Sequence, residues 1–513
     1  MKRTVPTLAA AVLAAVLALP SLPFSAAAED RPLTVVAPWE IKGLDPAVTG
    51  YAFTRMEAAE TFVEVDEEGL PIPALARSWE VSEEGRLWRF ELRPEVRFHD
   101  GTPLTAEAVV QALTVAQGKP GVLDKAPIEA IEAEGDGHVV IRLSEPFSPL
   151  LAFLAHTSAQ ILAPASYAAD GSVQEIIGTG PYRVTAVEPP QRLLLERFDD
   201  YWGEAPAIAR TVFLAAGRGE TRTLLAESGD AQIVFNLDPA SVQRLARNES
   251  LEVVAVPLPR VVTLKVNAAL EPLADPRARQ ALSLAIDRAG IAAALLRQPE
   301  VAATQLFPPG MGAWHDAALP PLTRDLDAAE ALLAELGWQP GADGILEREG
   351  ARFAVTLRTY PDRPELPLLA TALEDQLREI GVEVTIAIGN SGDIPAGHQD
   401  GTLELGLIAR NFSLVPDPLG TLLQDFGPEG GDWGAMNWSD EGLTNAMEAL
   451  LGSADPAGAE AERRRITSVL QEDLPVIPVV WYLQTAAISR GLEGASVDPF
   501  ERSYRLSRMR WAP

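Results

Sequence analysis

The sequence predicts an α/β protein with at least two sheets, and three observations carry that reading. Leu87-Trp88-Arg89-Phe90-Glu91-Leu92 alternates apolar and polar residues, the period of a half-buried strand. Asp275-Pro276 opens a helix whose Ala278, Ala281, Leu282, Ala285 and Ile286 fall on one face. Strand-like and helix-like segments alternate along the chain, with no internal repeat and no long low-complexity linker.

The elements follow in order. Leu104-Thr105-Ala106-Glu107 opens a helix, with Thr105 capping the free N–H groups and Glu107 in the first turn. Residues 139–143 and 192–198 read as strands. A helix over 327–336 stops at Gly337. Another over 368–380 has Pro367 at or just before its first turn and leads into a strand over 382–388. A late helix over 459–470 runs into Pro475-Val476-Ile477-Pro478-Val479-Val480-Trp481-Tyr482, an apolar strand with prolines in its first half.

Residues 1–28 have the order of a cleaved secretion signal. Lys2 and Arg3 give a positive start, residues 8–22 are apolar, and Ser25-Ala26-Ala27-Ala28 is a small-residue cleavage site. Pro20 and Pro23 break the apolar run, which is too short to span a bilayer. No later stretch reaches the length of a membrane span. There is no cysteine, which excludes both disulfides and a lipid-modified Cys anchor. The expected product is a soluble periplasmic monomer of two to four domains, from 513 residues. A net charge of −30 argues against nucleic acid, whose binding depends on Lys and Arg displacing phosphate counterions. The acidic residues are scattered, as on a solvated surface.

Four segments together resemble the extracytoplasmic solute-binding proteins of peptide and nickel ABC importers, bacterial solute-binding protein family 5. They are Phe98-His99-Asp100-Gly101-Thr102-Pro103-Leu104-Thr105-Ala106-Glu107, then Gly178-Thr179-Gly180-Pro181-Tyr182, then Tyr201-Trp202-Gly203-Glu204-Ala205-Pro206-Ala207-Ile208. The fourth is residues 275–287, where Ala278 replaces the family's usual Val. All are turns, caps and packing faces rather than chemistry. The resemblance implies a two-lobed periplasmic-binding-protein fold of the large type, with a hinge and an extra domain. Lobe I would comprise residues 29–63, 178–262 and 483–513, the extra domain 64–177, and lobe II 263–482. Ligand would be captured between the lobes and handed to an ABC permease and its ATPase, without a cofactor.

Peptide binders of this family carry an acid in a lobe II loop that pairs with the peptide amino group. Here that loop is Arg410-Asn411-Phe412-Ser413-Leu414-Val415-Pro416-Asp417-Pro418, with Leu414 at the place of the acid and Asp417 before Pro418 as acid or turn residue. Nickel-chelate binders use an aromatic in the same loop, for which Phe412 stands, and arginines for the chelator's carboxylates, for which Arg410 stands beside it. Arg260 is a second arginine suited to a ligand carboxylate. Trp39, Tyr51, Trp433, Trp438, Trp481 and Tyr482 are aromatic candidates for the cleft wall. The histidines show no metal-ligand spacing, and His156 alone is a weak metal candidate. The expected cargo is a peptide or peptide-like solute, with a metal–chelator or opine-like complex as the alternative. No serine elbow, zinc-protease motif or cysteine nucleophile marks an enzyme, which leaves only a dispersed carboxylate pair for a hydrolase.

Overall fold

The computed structural model describes residues 31–513 apart from 68, 414 and 453–455, with the backbone alone at 456 and 457. The secretion signal expected over 1–28 and the substitution at Leu414 lie outside the described residues.

Ten strands form the main sheet: β1 (Leu33–Ala37), β2 (Tyr182–Glu188), β3 (Arg192–Arg197), β4 (Arg210–Ala215), β5 (Ile233–Phe235), β6 (Leu251–Val266), β7 (Ala354–Thr359), β8 (Glu383–Ile388), β9 (Leu405–Asn411) and β10 (Val476–Ser489). Their order across the sheet is β8-β7-β9-β6-β10-β5-β1-β4-β3-β2. Two long antiparallel strands, β6 and β10, sit at the centre and link the two halves of the sheet. At one end β10 pairs with β5 through residues 486–488, and at the other β6 pairs with β9 through residues 260–266. The β6–β10 register slips between Leu258 and Val261 and again between Val262 and Thr263. Pro257 and Pro259 lie at this point and have no N–H to give the ladder.

A separate antiparallel sheet makes the extra domain. Its strands run in the order Ala76–Ser82, Leu87–Leu92, His138–Leu143, Ile128–Glu134, with the helix Ala106–Gln117 packed on it. Phe90, Phe98, Val109, Leu113 and Ile141 are fully buried in its core. The second lobe touches this domain: Ser148 N donates to Leu451 O at 3.0 Å, and Val415 packs into the same core. Among the described residues no helix is long and apolar enough to cross a membrane.

Local chemistry accounts for most boundaries. Thr105 Oγ1 accepts from Ala108 N at 3.2 Å, and Asp275 Oδ1 accepts from Arg277 N at 2.9 Å, so both capped starts are as read from sequence. Helix Leu326–Glu335 ends before Gly337, whose φ of +87° suits glycine. Helix Glu365–Glu379 begins three residues earlier than expected. Pro367 is tolerated at its third position because first-turn N–H groups have no helical partner. The strand expected over 475–482 continues to Ser489.

The first three family-like segments converge where the extra domain meets the first lobe. Thr179 Oγ1, Tyr201 OH and Trp202 Nε1 all donate to the Glu60 carboxylate, at 2.7, 3.1 and 3.0 Å. Arg93 lies over the Trp202 ring at 4.3 Å. His99 N and Nε2 donate to the carbonyls of Gly178 and Gly180, both at 2.9 Å. The two glycines are required by proximity: a Cβ on Gly178 would lie 2.2 Å from Ala58 O, and one on Gly180 2.2 Å from Glu57 O. The fourth segment ties the second lobe together. Arg279 donates to the carbonyls of Asp473, Leu273 and Ala274 at 2.7, 2.9 and 3.0 Å.

Two predictions follow from this junction. Gly180→Ala forces backbone apart and lowers unfolding stability by about 1–3 kcal/mol, read by urea titration. Burial pushes the Glu60 carboxyl up to about 7, against the three donors that lower it. The folded state therefore keeps a proton that the unfolded chain gives up near 4.5. Wild type should lose stability relative to Glu60→Gln as pH rises from 4.5 to about 7, with no further change above that. A pH-independent difference between the two proteins would contradict this.

Candidate ligand-binding site

Beside the crossing strands the two lobes meet around a buried set of charges. Arg55 comes from the last turn of helix Pro46–Arg55, Arg260 from the irregular stretch of β6, and Asn411 from the end of β9. Arg363 precedes helix Glu365–Glu379, Tyr482 lies on β10, and Glu501 comes from the C-terminal segment. Arg55, Arg260, Arg363, Asn411, Tyr482 and Glu501 are each less than a tenth exposed.

Glu501 is the centre of the set. Arg260 Nη2 donates to its Oε2, and Asn411 Nδ2 donates to the same oxygen at 2.8 Å. Arg55 Nε donates to the Glu501 backbone carbonyl at 2.6 Å, and its Nη2 lies 3.7 Å from Oε1. Burial raises the Glu501 carboxyl, but Arg260, Arg55 and Arg363 together overcome it and hold it at about 2. The segment that carries it is tightly built. Asp498 accepts from the N–H groups of Phe500, Arg502 and Ser503 at 3.0, 2.9 and 3.0 Å. Glu501 itself has a φ of +56°, a left-handed conformation that a glutamate adopts only when its surroundings hold it there.

Tyr482 lies between two guanidinium groups, with Arg260 5.1 Å and Arg363 5.0 Å from its ring centroid, and its OH accepts from Arg363 Nη1 at 2.8 Å. Positive charge exceeds negative in this set. Arg260 Nε and Nη1 and Glu501 Oε1 are buried with no hydrogen-bond partner. Buried polar atoms otherwise find partners, so these three make the set a candidate for meeting a ligand. Trp39, Arg55, Gln484, Asp498, Glu501 and Tyr504 line a small cavity of about 10 Å³, and a larger one of about 190 Å³ spans both crossing strands beside Tyr482 and Asn236.

The sequence candidates divide. Trp39, Tyr51 and Tyr482 come together: the Arg55 guanidinium lies 4.5 Å over Trp39 and 5.4 Å from Tyr51, whose OH donates to Glu40 O at 2.6 Å. Arg260 belongs to the same set. Arg410 stands apart, forked onto Asp425 at 2.5 and 2.8 Å, and shares a recess of about 580 Å³ with Trp433, Lys125 and His398.

Four candidates, Phe412, Asp417, Trp438 and His156, are corrected. Phe412 is 1% exposed and packs edge-on against Phe307 in the second lobe's core, so a ligand-stacking role does not fit it. Asp417 caps helix Pro418–Phe426 by accepting from Leu419 N at 2.9 Å. Trp438 Nε1 is committed to Asp473 Oδ2 at 3.0 Å, whereas Trp481, whose Nε1 donates to Gln305 O at 3.0 Å, lines the larger cavity beside Tyr482. His156 is half-buried, and desolvation lowers its ring to about 4, with its Nδ1 facing Ser158 Oγ. Among the described residues there is no group of three or more side chains suited to a metal ion. Arg55, Arg363, Asn411 and Glu501 were not picked out by sequence reasoning. Arg55, at the end of a helix that carries Tyr51, had the one usable local signal.

The sequence and the fold both have relatives. The chain is 26% identical over 495 residues to the nickel-binding periplasmic protein of Escherichia coli K12, covering 93% of this chain and 94% of that protein. It is 25% identical over 470 residues to the dipeptide-binding protein of the same strain, covering 84% and 85%. The fold is similar to that of NikA from Staphylococcus aureus in complex with Ni(L-His)2, with a TM-score of 0.82, 21% identity, and coverage of 94% of this chain and 100% of that one. Residues 71–433 match the model of the bacterial extracellular solute-binding proteins, family 5, middle region, and the chain therefore belongs to that family.

Proposed function

We propose that this solute-binding protein is the periplasmic substrate-binding subunit of an ABC importer. It captures a peptide or peptide-like solute by a carboxylate and presents the closed form to a membrane permease. The observation that carries this reading is Arg260, buried at the hinge with Nε and Nη1 unpartnered and with Arg55 and Arg363 beside it. A carboxylate bound there gains two charge-assisted hydrogen bonds where water is excluded. The dipeptide-binding relative supports the solute class.

The domain division expected from sequence is part of the proposal. Lobe I is 29–63, 178–262 and 483–513, the extra domain 64–177 and lobe II 263–482. Its two inter-lobe boundaries fall inside β6 and β10, which fits a hinge made of two strands. The protein binds without turnover.

The alternative cargo, a metal–chelator or opine-like complex, is favoured by the same arginines, which suit a chelator's carboxylates. The nickel-binding relative supports it too. Here the metal would enter with its chelator, since the described residues offer no metal cluster.

Native mass spectrometry of protein purified from the periplasm separates the two. Masses differing by amino-acid residues support a peptide cargo, and a single mass with a metal isotope pattern supports the chelate. In titrations with the released cargo, Arg260→Lys keeps the charge but loses the fork, and should weaken binding by at least about tenfold, or about 1.4 kcal/mol. Unchanged affinity would remove Arg260 from the site.

A further inference from the structure

The larger cavity, of about 190 Å³, adjoins the charged set but differs from it in chemistry. Tyr482, whose ring lies between Arg260 and Arg363, is part of its wall. Gln484 lines the small cavity with Arg55 and Glu501, and its Nε2 donates at 2.6 Å to Oδ1 of Asn236, which lines the larger one. The walls come from both sides of the crossing strands. Helix Pro239–Leu245 supplies Val242 on one side. On the other, the π-helix Ile291–Leu296 supplies Leu296, Arg297 follows it, and helix Glu365–Glu379 supplies Glu365.

We propose that this cavity receives a side chain of the cargo, and that Asn236 and Glu365 select one of tyrosine size that is uncharged and ends in a hydroxyl. The inference rests on the carboxylate-capture reading above and names what else the cargo carries.

Size and wall come first. Leu237, Val242, Leu296, Val480 and Trp481 give the cavity apolar surface. Its volume exceeds the roughly 150 Å³ of an apolar cavity that admits benzene, so a ring with a short extension fits. Two polar atoms of the wall residues lack partners. Asn236 is 2% exposed, and its N and Oδ1 are committed to Thr485 O and Gln484 Nε2 at 3.0 and 2.6 Å, while its Nδ2 donates to nothing. Glu365 Oε1 is buried and accepts nothing. A hydroxyl can accept from the first and donate to the second. Arg297 on the wall opposes a cationic end, and Glu365 an anionic one. The backbone is strained at the same place: Asn236 and Arg297, one from each side, have φ of +58° and +60°. Left-handed residues other than glycine, one of them closing a π-helix, gather at ligand clamps.

The test uses the full mature protein and five dipeptides that differ in one side chain: glycyl-tyrosine, glycyl-phenylalanine, glycyl-alanine, glycyl-lysine and glycyl-glutamate. Binding is measured by calorimetry on wild type, Glu365→Leu, Glu365→Gln and Val242→Trp. Wild type should bind glycyl-tyrosine at least about tenfold more tightly than the alanine, lysine and glutamate peptides, and more tightly than glycyl-phenylalanine, which leaves both polar atoms unpaired. Glu365→Leu should bring the tyrosine-to-phenylalanine ratio close to one, and Glu365→Gln, which still offers an acceptor, should retain it. Val242→Trp narrows the cavity. It should weaken glycyl-tyrosine at least about tenfold more than glycyl-alanine, and it carries the test if the Leu variant does not fold. An equal loss of both peptides in Val242→Trp would overturn the proposal. So would a wild type that binds all five alike, and if Arg260→Lys weakened that binding, the carboxylate reading would stand alone. No binding of any dipeptide would overturn both.

Discussion

The pairing of β6 with β10 is the constraint on which the rest of the molecule depends. It joins the sheet of one lobe to that of the other, from the Leu251–Ser489 pair to the Lys265–Val476 pair. A ladder this long would be stiff if it were regular. It is interrupted where Pro257 and Pro259 withhold N–H groups and the register slips. Irregular pairing lets strands bend and twist locally. Arg260 sits inside the interruption, and Tyr482 is the partner of Leu258 across it. Arg260 and Tyr482 are therefore mounted on the two central strands, while Arg55, Arg363 and Glu501 reach them from other segments. A hinge at this point would tie the geometry of Arg260 to the angle between the lobes, which is what coupling of ligand to closure requires.

The buried cations of this protein differ in how they are held. Arg279 and Arg288 donate mainly to backbone carbonyls, and Lys265, fully buried, donates to Gly431 O and Gly434 O at 2.7 and 2.6 Å. These side chains staple loops, and burial lowers Lys265 to about 7 as the cost of that position. Arg260 is different. Its main partner is a side chain from a distant segment, and two of its donors have none. Desolvating such a group is unfavourable, and a buried ion pair is weak evidence of stabilisation. A glutamate at positive φ and an under-satisfied Arg260 are therefore better explained by a binding role than by a contribution to stability.

What the sequence reveals and what it hides follow from the range of the interactions. Caps at Thr105 and Asp275, the stop at Gly337 and the period-two strand at residues 87–92 depend on neighbours within a few positions, so one sequence suffices to read them. The family-like segments are legible for a related reason: each is a local turn. Their purpose is not local, since Thr179, Tyr201 and Trp202 share an acid, Glu60, that belongs to none of them. β6 escaped notice because its prolines resemble a break. Glu501 escaped because Arg260 lies 241 residues away and no spacing announces the pair. Phe412 and Asp417 misled for the converse reason: an aromatic at a strand end and an Asp before Pro are equally well satisfied by a core and a helix cap.

The balance of charge bears on what such a site can select. The chain carries a net charge of −30, and that field opposes an approaching anion. Salt screens it over roughly 8 Å at physiological ionic strength, so the opposition acts near the surface, where cargo is first met. The arginines of the cleft are too buried to counter it from outside. An anionic cargo would thus be disfavoured at encounter and favoured only on contact. A head group with both an ammonium and a carboxylate escapes that conflict. It has no net charge for the surface to repel. Discrimination would then rest on buried groups such as Asn411, Arg260 and Glu501, which form one hydrogen-bonded unit, and not on the acidic exterior.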